Sequence, residues 1–406
     1  MSRSHHRCRP SARPQSPRHP RSYTPISDAL RQPLTFADTE LAQGLRRHRL
    51  PGLLAGALGR ARRSGAEPLA NLLCALLVWP LLQAKSIHCF CAQLCQILQG
   101  KVSVLYDFLG REDINCRGLL GQLAGQVYRA NELGPRSQCA FVVDDTSQAR
   151  PGRKVEGTSC YFDHTEGRTR HGHQVLHLGL AGERGFLPLE AQIVMGEKRR
   201  VEKPQDKPFK DQRSAAARDL RRAGEHSKHR LFREMLQRAL RAGFNAALVL
   251  ADAWFGCKET IACSLELKLS AIFQMKRGLL LYRYQGRDYT AHQLYARVRR
   301  RMRPGNRRAR FKTASLIVSL NLQTEARGPA YWVKVRLVFS APVRATSADT
   351  WVVFLCTDPQ RSEASVLQAY ALRWSIEVYF KEVKQNLGFL KEQSGRYQVA
   401  YASVHL

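Results

Sequence analysis

Two short apolar runs that each end in aspartate constrain this chain more than any other feature. Residues 139–145 read CAFVVDD, and residues 246–255 read AALVLADAWF. An unbroken run of four or five apolar residues is the profile of a strand buried on both faces. In α/β folds, chemically active groups gather beyond the carboxyl ends of such strands. Asp144 or Asp145, and Asp252, are thereby placed at the edge of a sheet. One such aspartate would serve equally well as a helix cap or a surface acid, but two with the same apolar approach point to a shared site.

The charge balance narrows the partner. Lys and Arg total 65 against 33 Asp and Glu, a formal net charge of +32. That excess fits a polyanion, nucleic acid above all, and not a neutral or cationic metabolite. The eleven cysteines are scattered and outline no disulfide framework. The N-terminus lacks the apolar core of a secretory signal. The longest apolar stretch, Leu69 to Leu82, contains Asn71 and Pro80 and falls short of the ~20 residues that span a bilayer. A reducing cytoplasm and no membrane partner follow as the default.

Composition shifts divide the chain. Residues 1–35 carry Arg3, Arg7, Arg9, Arg13, Arg18 and Arg21 with no acid before Asp28, the pattern of a disordered basic arm. Residues 36–135 have helical periodicity and read as a small DNA-binding helical domain. Within it, His88, Cys89, Cys91 and Cys95 fit one amphipathic helix better than a zinc site. Residues 136–276 read as the first part of an α/β core, with VLHLGLA and FLPLEAQIVMG as sheet neighbours and a basic helical stretch at 210–242. Residues 277–350 read as antiparallel strands around the segment Arg297–Lys312, which has eight Arg, one Lys and no acid. That segment reads as a DNA contact or a disordered charged loop. Residues 351–406 return to a core strand followed by a long helix over 361–391. His164, His171, His173 and His177 read as a strand-and-turn feature.

On that late helix, Tyr370, Arg373, Glu377 and Lys384 project near 0°, 300°, 340° and 320° at about 100° per residue. Leu372, Ile376, Phe380, Val383 and Leu387 fall near 200° to 280° on the same projection. One face buries and the adjoining face carries a polar row. Ion pairing of Arg373 with Glu377 accounts for part of the row. A glutamate flanked by Tyr, Arg and Lys also suits a site where the carboxylate binds a divalent cation and its neighbours grip phosphates.

Asp144-Asp145-Thr146, VLADAWF and the segment YALRWSIEVYFKEVKQNLG together resemble the DDE transposases of bacterial insertion sequences. The spacing Tyr370-x2-Arg373-x3-Glu377-x6-Lys384 is similar to the signature of the branch called insertion sequence family four, and SVLYDFLGREDINCRGLL resembles that family's helical lead-in. The resemblance covers about residues 95–406. It implies an α/β fold: a ribonuclease H-like catalytic core interrupted by a mainly β insertion and preceded by a small α-helical domain. It implies Asp144, Asp252 and Glu377 as catalytic residues holding two Mg²⁺ or Mn²⁺ ions, with Asp144 favoured over Asp145.

The resemblance further implies Tyr370, Arg373 and Lys384 on the phosphates of a cleaved DNA end. Lys381, Lys154, Arg299, Arg300 and Arg301 are further DNA contacts, and Trp351 is either a stacking platform for a flipped base or a core residue. The implied activity is cleavage at element ends and strand transfer into target DNA through a hairpin intermediate. A homodimeric synaptic complex acting on the bacterial nucleoid would carry it out. Two other readings stay open: an inactive DNA-binding remnant, and a ribonuclease H-like nuclease without strand transfer. The apolar ending YQVAYASVHL reads as a C-terminal truncation relative to the family.

Overall fold

The first apolar run does not stop at its aspartates. In the computed structural model, β1 covers Ala140–Ala149, because residues from Asp144 onward keep pairing with a long antiparallel neighbour. The structure describes residues 103–406 except 131–132, 136–137, 153, 164–165, 197–208, 306–307, 325–328 and 345–349, together with Leu72 and Leu76. The basic arm, the His88–Cys95 cluster and His164 lie outside the described residues.

The remaining strands are β2 (Ser159–Asp163), β3 (Arg168–Gly182), β4 (Gly185–Val194), β5 (Leu248–Ala251), β6 (Ser270–Met275) and β7 (Leu281–Tyr284). They continue with β8 (Arg287–Thr290), β9 (Arg303–Pro304), β10 (Phe311–Asn321), β11 (Trp332–Pro342) and β12 (Val352–Cys356). They form one sheet in the order β2-β3-β1-β5-β6-β12-β11-β10-β7-β8, with β4 on β3 and β9 on β10. β1 pairs with β5, and β5 with β6, in parallel; the other pairings are antiparallel. The all-apolar burial of Leu248–Ala251 is what a central parallel strand requires.

The 277–350 segment extends this sheet. β12 lies between β6 and β11, with Val353 opposite both Met275 and Phe339. The free edge that β6 would otherwise present is thereby covered. Helices at the other end are likewise part of the same body. Ser103–Leu109 and Cys116–Arg129 bury Leu105, Phe108 and Leu119 in one core cluster with Ile193, Tyr397 and Val404. The described helices before residue 136 thus share a core cluster with the later segments. The Tyr397–His405 helix is fixed by a buried polar network. Tyr397 Oη donates to Asp219 at 2.5 Å, and Asp219 also accepts from Arg117 and Gln192.

The long late helix is two helices, Glu363–Ala371 and Trp374–Gln385. Between them Arg373, Ser375 and Ile376 donate to carbonyls three residues back, and Ser375 Oγ donates to the Leu372 carbonyl at 2.7 Å. These tighter bonds interrupt the α-helical ladder. A single projection wheel therefore does not run through residues 372–375.

Candidate active site

The pleat decides which aspartates meet. On β1, Ala140 and Val142 join a cluster with Leu248, Leu250, Ile376 and Phe380, while Phe141 and Val143 join one with Leu231, Met235, Val249 and Ala251. Successive side chains alternate faces. Asp144 thus faces the Trp374–Gln385 helix, and Asp145 faces the Lys228–Arg241 helix. The parallel pairing of β1 with β5 ends at Val143 and Ala251. Asp144 and Asp252 are each the next residue, on the same side, at adjoining strand ends.

Hydrogen bonds agree with that division. Arg373 Nη1 donates to Asp144 Oδ2 at 3.0 Å, and Arg373 Nη2 donates to Glu377 Oε1. Tyr370 Oη donates to the Ala251 carbonyl at 3.4 Å, directly before Asp252. Asp252 Oδ1 accepts the Trp254 N–H at 3.0 Å, and Asp144 Oδ1 accepts the Asp145 N–H at 2.8 Å. On the other face, Asp145 accepts from Lys228 Nζ at 2.9 Å and from Gln174 Nε2 at 2.5 Å. Lys228 also lies 4.0 Å over the Trp254 ring.

Burial, with Asp252 and Asp145 close by, pushes the Asp144 carboxyl up to about 7, against the opposing pull of Arg373. Burial also raises Asp252, to which Asp145 adds, while the Trp254 N–H opposes. Both acids resist ionisation because negative charge is crowded where water is scarce. A cleft of about 700 Å³ opens over them, lined among others by Asp144, Asp145, Asp252, Lys228, Trp254 and Lys384. Burial lowers Lys384, with Asp163 and Asp145 opposing.

The donor set suits a hard divalent cation: carboxylate oxygens on adjacent strand ends, too crowded to ionise comfortably without added positive charge. Among the described residues, no three Asp, Glu, His or Cys side chains converge as a metal cage. Glu377 is held instead by Arg373, which takes the place of a cation between it and Asp144.

The remaining sequence-derived residues are dispersed. Lys381 is exposed on the Trp374–Gln385 helix, and Lys154 is exposed in the β1–β2 connection. Arg299, Arg300 and Arg301 form an exposed 3₁₀ turn between the Ala291–Val298 helix and β9. The basic run is therefore structured over its described part. Trp351 requires a correction. It is 2% exposed, with its ring stacked 4.2 Å from Tyr295 at 8°. An indole so enclosed has no face open to a base. His171, His173 and His177 alternate along one face of β3, and His171 and His173 bond backbone carbonyls. Lys228, Gln174 and Trp254 were not singled out in the sequence. Only the adjacency of Trp254 to Asp252 could have marked one of them.

The described residues thus define a mixed α/β protein whose acids cluster at the ends of adjacent parallel strands. The chain matches the family described as DDE superfamily endonuclease over residues 39–338, and it belongs to that family. The family is of nuclease and transposase type and generally employs divalent metal ions. Glu377 lies beyond the matched residues. No curated protein matches the chain. Among solved structures, the Drosophila P element transposase strand transfer complex overlaps with a TM-score of 0.25 and 9% identity, covering 64% of this chain and 55% of that one. So loose an overlap does not define a shared fold, and this chain spans little more than half the length of that protein. Among the described residues, no helix is long and apolar enough to cross a membrane.

Proposed function

We propose that this protein is a metal-dependent transposase that cuts DNA at the ends of an insertion sequence and joins the freed 3′-hydroxyl to target DNA. The observation that carries the reading is the meeting of Asp144 and Asp252 on one face of β1 and β5, with Arg373 and Glu377 brought over them. Asp144, Asp252 and Glu377 would hold two Mg²⁺ or Mn²⁺ ions. Such ions, when bound, supply activation of the attacking hydroxyl and charge stabilisation of the leaving oxygen.

This chain's own residues do the rest. Asp144 and Asp252 ionise only against compensating charge, so the site favours a cation over a vacant acid pair. Arg373 must leave Glu377 for that carboxylate to turn toward them, and its guanidinium is then available to a phosphate of the cleaved end. Tyr370 packs against Phe354 and anchors the helix break to β5. Lys384 adds positive charge at the cleft, and Lys381, Lys154 and Arg299–Arg301 offer phosphate contacts farther along the surface.

The antiparallel β4-β3-β1 run followed by parallel β5 and β6 supports a ribonuclease H-like core, with the strands at 277–350 as its insertion. The Tyr370-Arg373-Glu377-Lys384 spacing supports the insertion sequence family four branch, and homodimeric synapsis accompanies that reading. The test is cleavage of a labelled duplex carrying the element's terminal repeat. Mg²⁺ or Mn²⁺ should support 3′-end nicking and joining by the wild type and not by Glu377→Gln. Salt-dependent binding without cutting by either protein would instead mark a binding-only remnant. Nicking without joining would mark a plain nuclease.

A further inference from the structure

On the flank of the cleft, three side chains outside the acid cluster come together. Cys257 stands at the N-cap of the Lys258–Glu266 helix. His229, in the first turn of the Lys228–Arg241 helix, brings Nε2 to 3.7 Å from Cys257 Sγ and Nδ1 to 3.1 Å from Glu259 Oε2. Thr260 Oγ1 lies 3.3 Å from the same sulfur. The imidazole is held in place by the Trp254 ring, with centroids 4.8 Å apart at 32°. His229 lines the cleft, and Cys257 is half-buried beside it. One imidazole is thus engaged by a thiol on one nitrogen and by a carboxylate on the other.

We propose that Cys257, His229 and Glu259 form a reactive-thiol site, open to oxidation by hydroperoxides at the flank of the cleft. His229 Nε2 takes the thiol proton, and Glu259 steadies the resulting imidazolium through Nδ1–H. The thiolate sulfur attacks one peroxide oxygen, so that an S–O bond forms and the O–O bond breaks. The departing oxygen takes the proton held by His229 and, for hydrogen peroxide, leaves as water. The sulfur is oxidised by two electrons to a sulfenic acid, and the peroxide is reduced.

Electrostatics agree with the geometry. Burial alone pushes the Cys257 thiol up, but the contacts with His229 and Thr260 outweigh it and leave the group below the ordinary thiol value. The same contact with Cys257 lifts His229, Glu259 adds to the rise, and burial and Lys228 oppose it. A thiolate beside a protonated imidazole at a helix N-terminus is the environment in which cysteines become reactive. The inference does not depend on whether the protein cuts DNA.

The test uses the full chain without metal or DNA. Hydrogen peroxide is added with a dimedone trap for sulfenic acid, labelling is resolved by peptide mass spectrometry, and iodoacetamide reports the thiolate separately. Cys160, which is exposed, is the internal comparison. At pH 7, Cys257 should label several-fold faster than Cys160, because a larger share of it is thiolate. His229→Asn should slow Cys257 by about the same factor and leave Cys160 unchanged. Glu259→Gln, on the exposed side of the pair, should slow Cys257 by a smaller factor. In the wild type, the pH profile of Cys257 alkylation should break below the ordinary thiol range, a result that needs no variant to fold. Cys257 reacting no faster than Cys160, or unaffected by both substitutions, would overturn the proposal.

Discussion

Arg373 reaches Asp144 at 3.0 Å across 229 residues of sequence, and its second terminal nitrogen holds Glu377 four residues on. One guanidinium therefore bridges two acids of the site. Arg373→Gln should destabilise the metal-free protein by about 1–3 kcal/mol, because two carboxylates lose a partly buried partner. The same substitution should enlarge the rise in Tm produced by Mn²⁺, since Glu377 is released. Thermal melts with and without Mn²⁺ check both signs; an unchanged Mn²⁺ response would mean that Arg373 does not compete with the cation.

The raised carboxyl of Asp144 makes stability depend on pH. An unperturbed aspartate titrates near 3.9, whereas Asp144 holds its proton to about 7. Between those values the folded chain binds a proton that the unfolded chain has released, so this group's contribution to stability falls as pH rises through the window and levels off above it. Asp144→Asn should flatten that slope in urea unfolding at pH 5 and pH 7.5. A divalent cation competes with the same proton, so it should stabilise the wild type more at pH 8 than at pH 5.5.

Asp144 and Asp145 are neighbours with opposite assignments, and substitution should separate them. Asp144→Asn and Asp252→Asn should each lower metal-dependent cleavage by at least about 10²-fold, the order seen when a group stabilising transition-state charge is removed. Asp145→Asn leaves the acid pair intact and loses the ion pair with Lys228. It should retain most cleavage and cost about 1–2 kcal/mol of stability. The reverse ranking would show that the other face of β1 carries the chemistry.

Trp351 and the arginine turn should respond in opposite ways. Trp351→Ala empties a buried ring position and should cost about 3–5 kcal/mol in denaturant unfolding, with DNA affinity of the folded fraction unchanged. Replacing Arg299, Arg300 and Arg301 together by Ala should leave stability nearly unchanged. It should weaken DNA binding and reduce the salt slope by up to about three phosphate contacts. Binding isotherms at two salt concentrations, read beside unfolding curves, distinguish the two.

The sequence by itself determined the strands that carry Asp144 and Asp252, the charge that selects a polyanion, and the spacing of Tyr370, Arg373 and Glu377. Those are local properties: an unbroken apolar run makes a central strand, and i, i+4 residues meet on a helix whatever surrounds it. Tertiary structure alone decided which of two adjacent aspartates turns toward Arg373, because the pleat assigns faces only once the strand has neighbours on both sides. It also decided that Trp351 lies under Tyr295, and that β12 closes the β6 edge and joins the later strands to the same sheet. Each depends on partners tens or hundreds of residues away, whose approach no local pattern encodes. Cys257, His229 and Glu259 belong to that second group: two adjoining helices bring their N-terminal turns together and so build a site from residues that no motif connects.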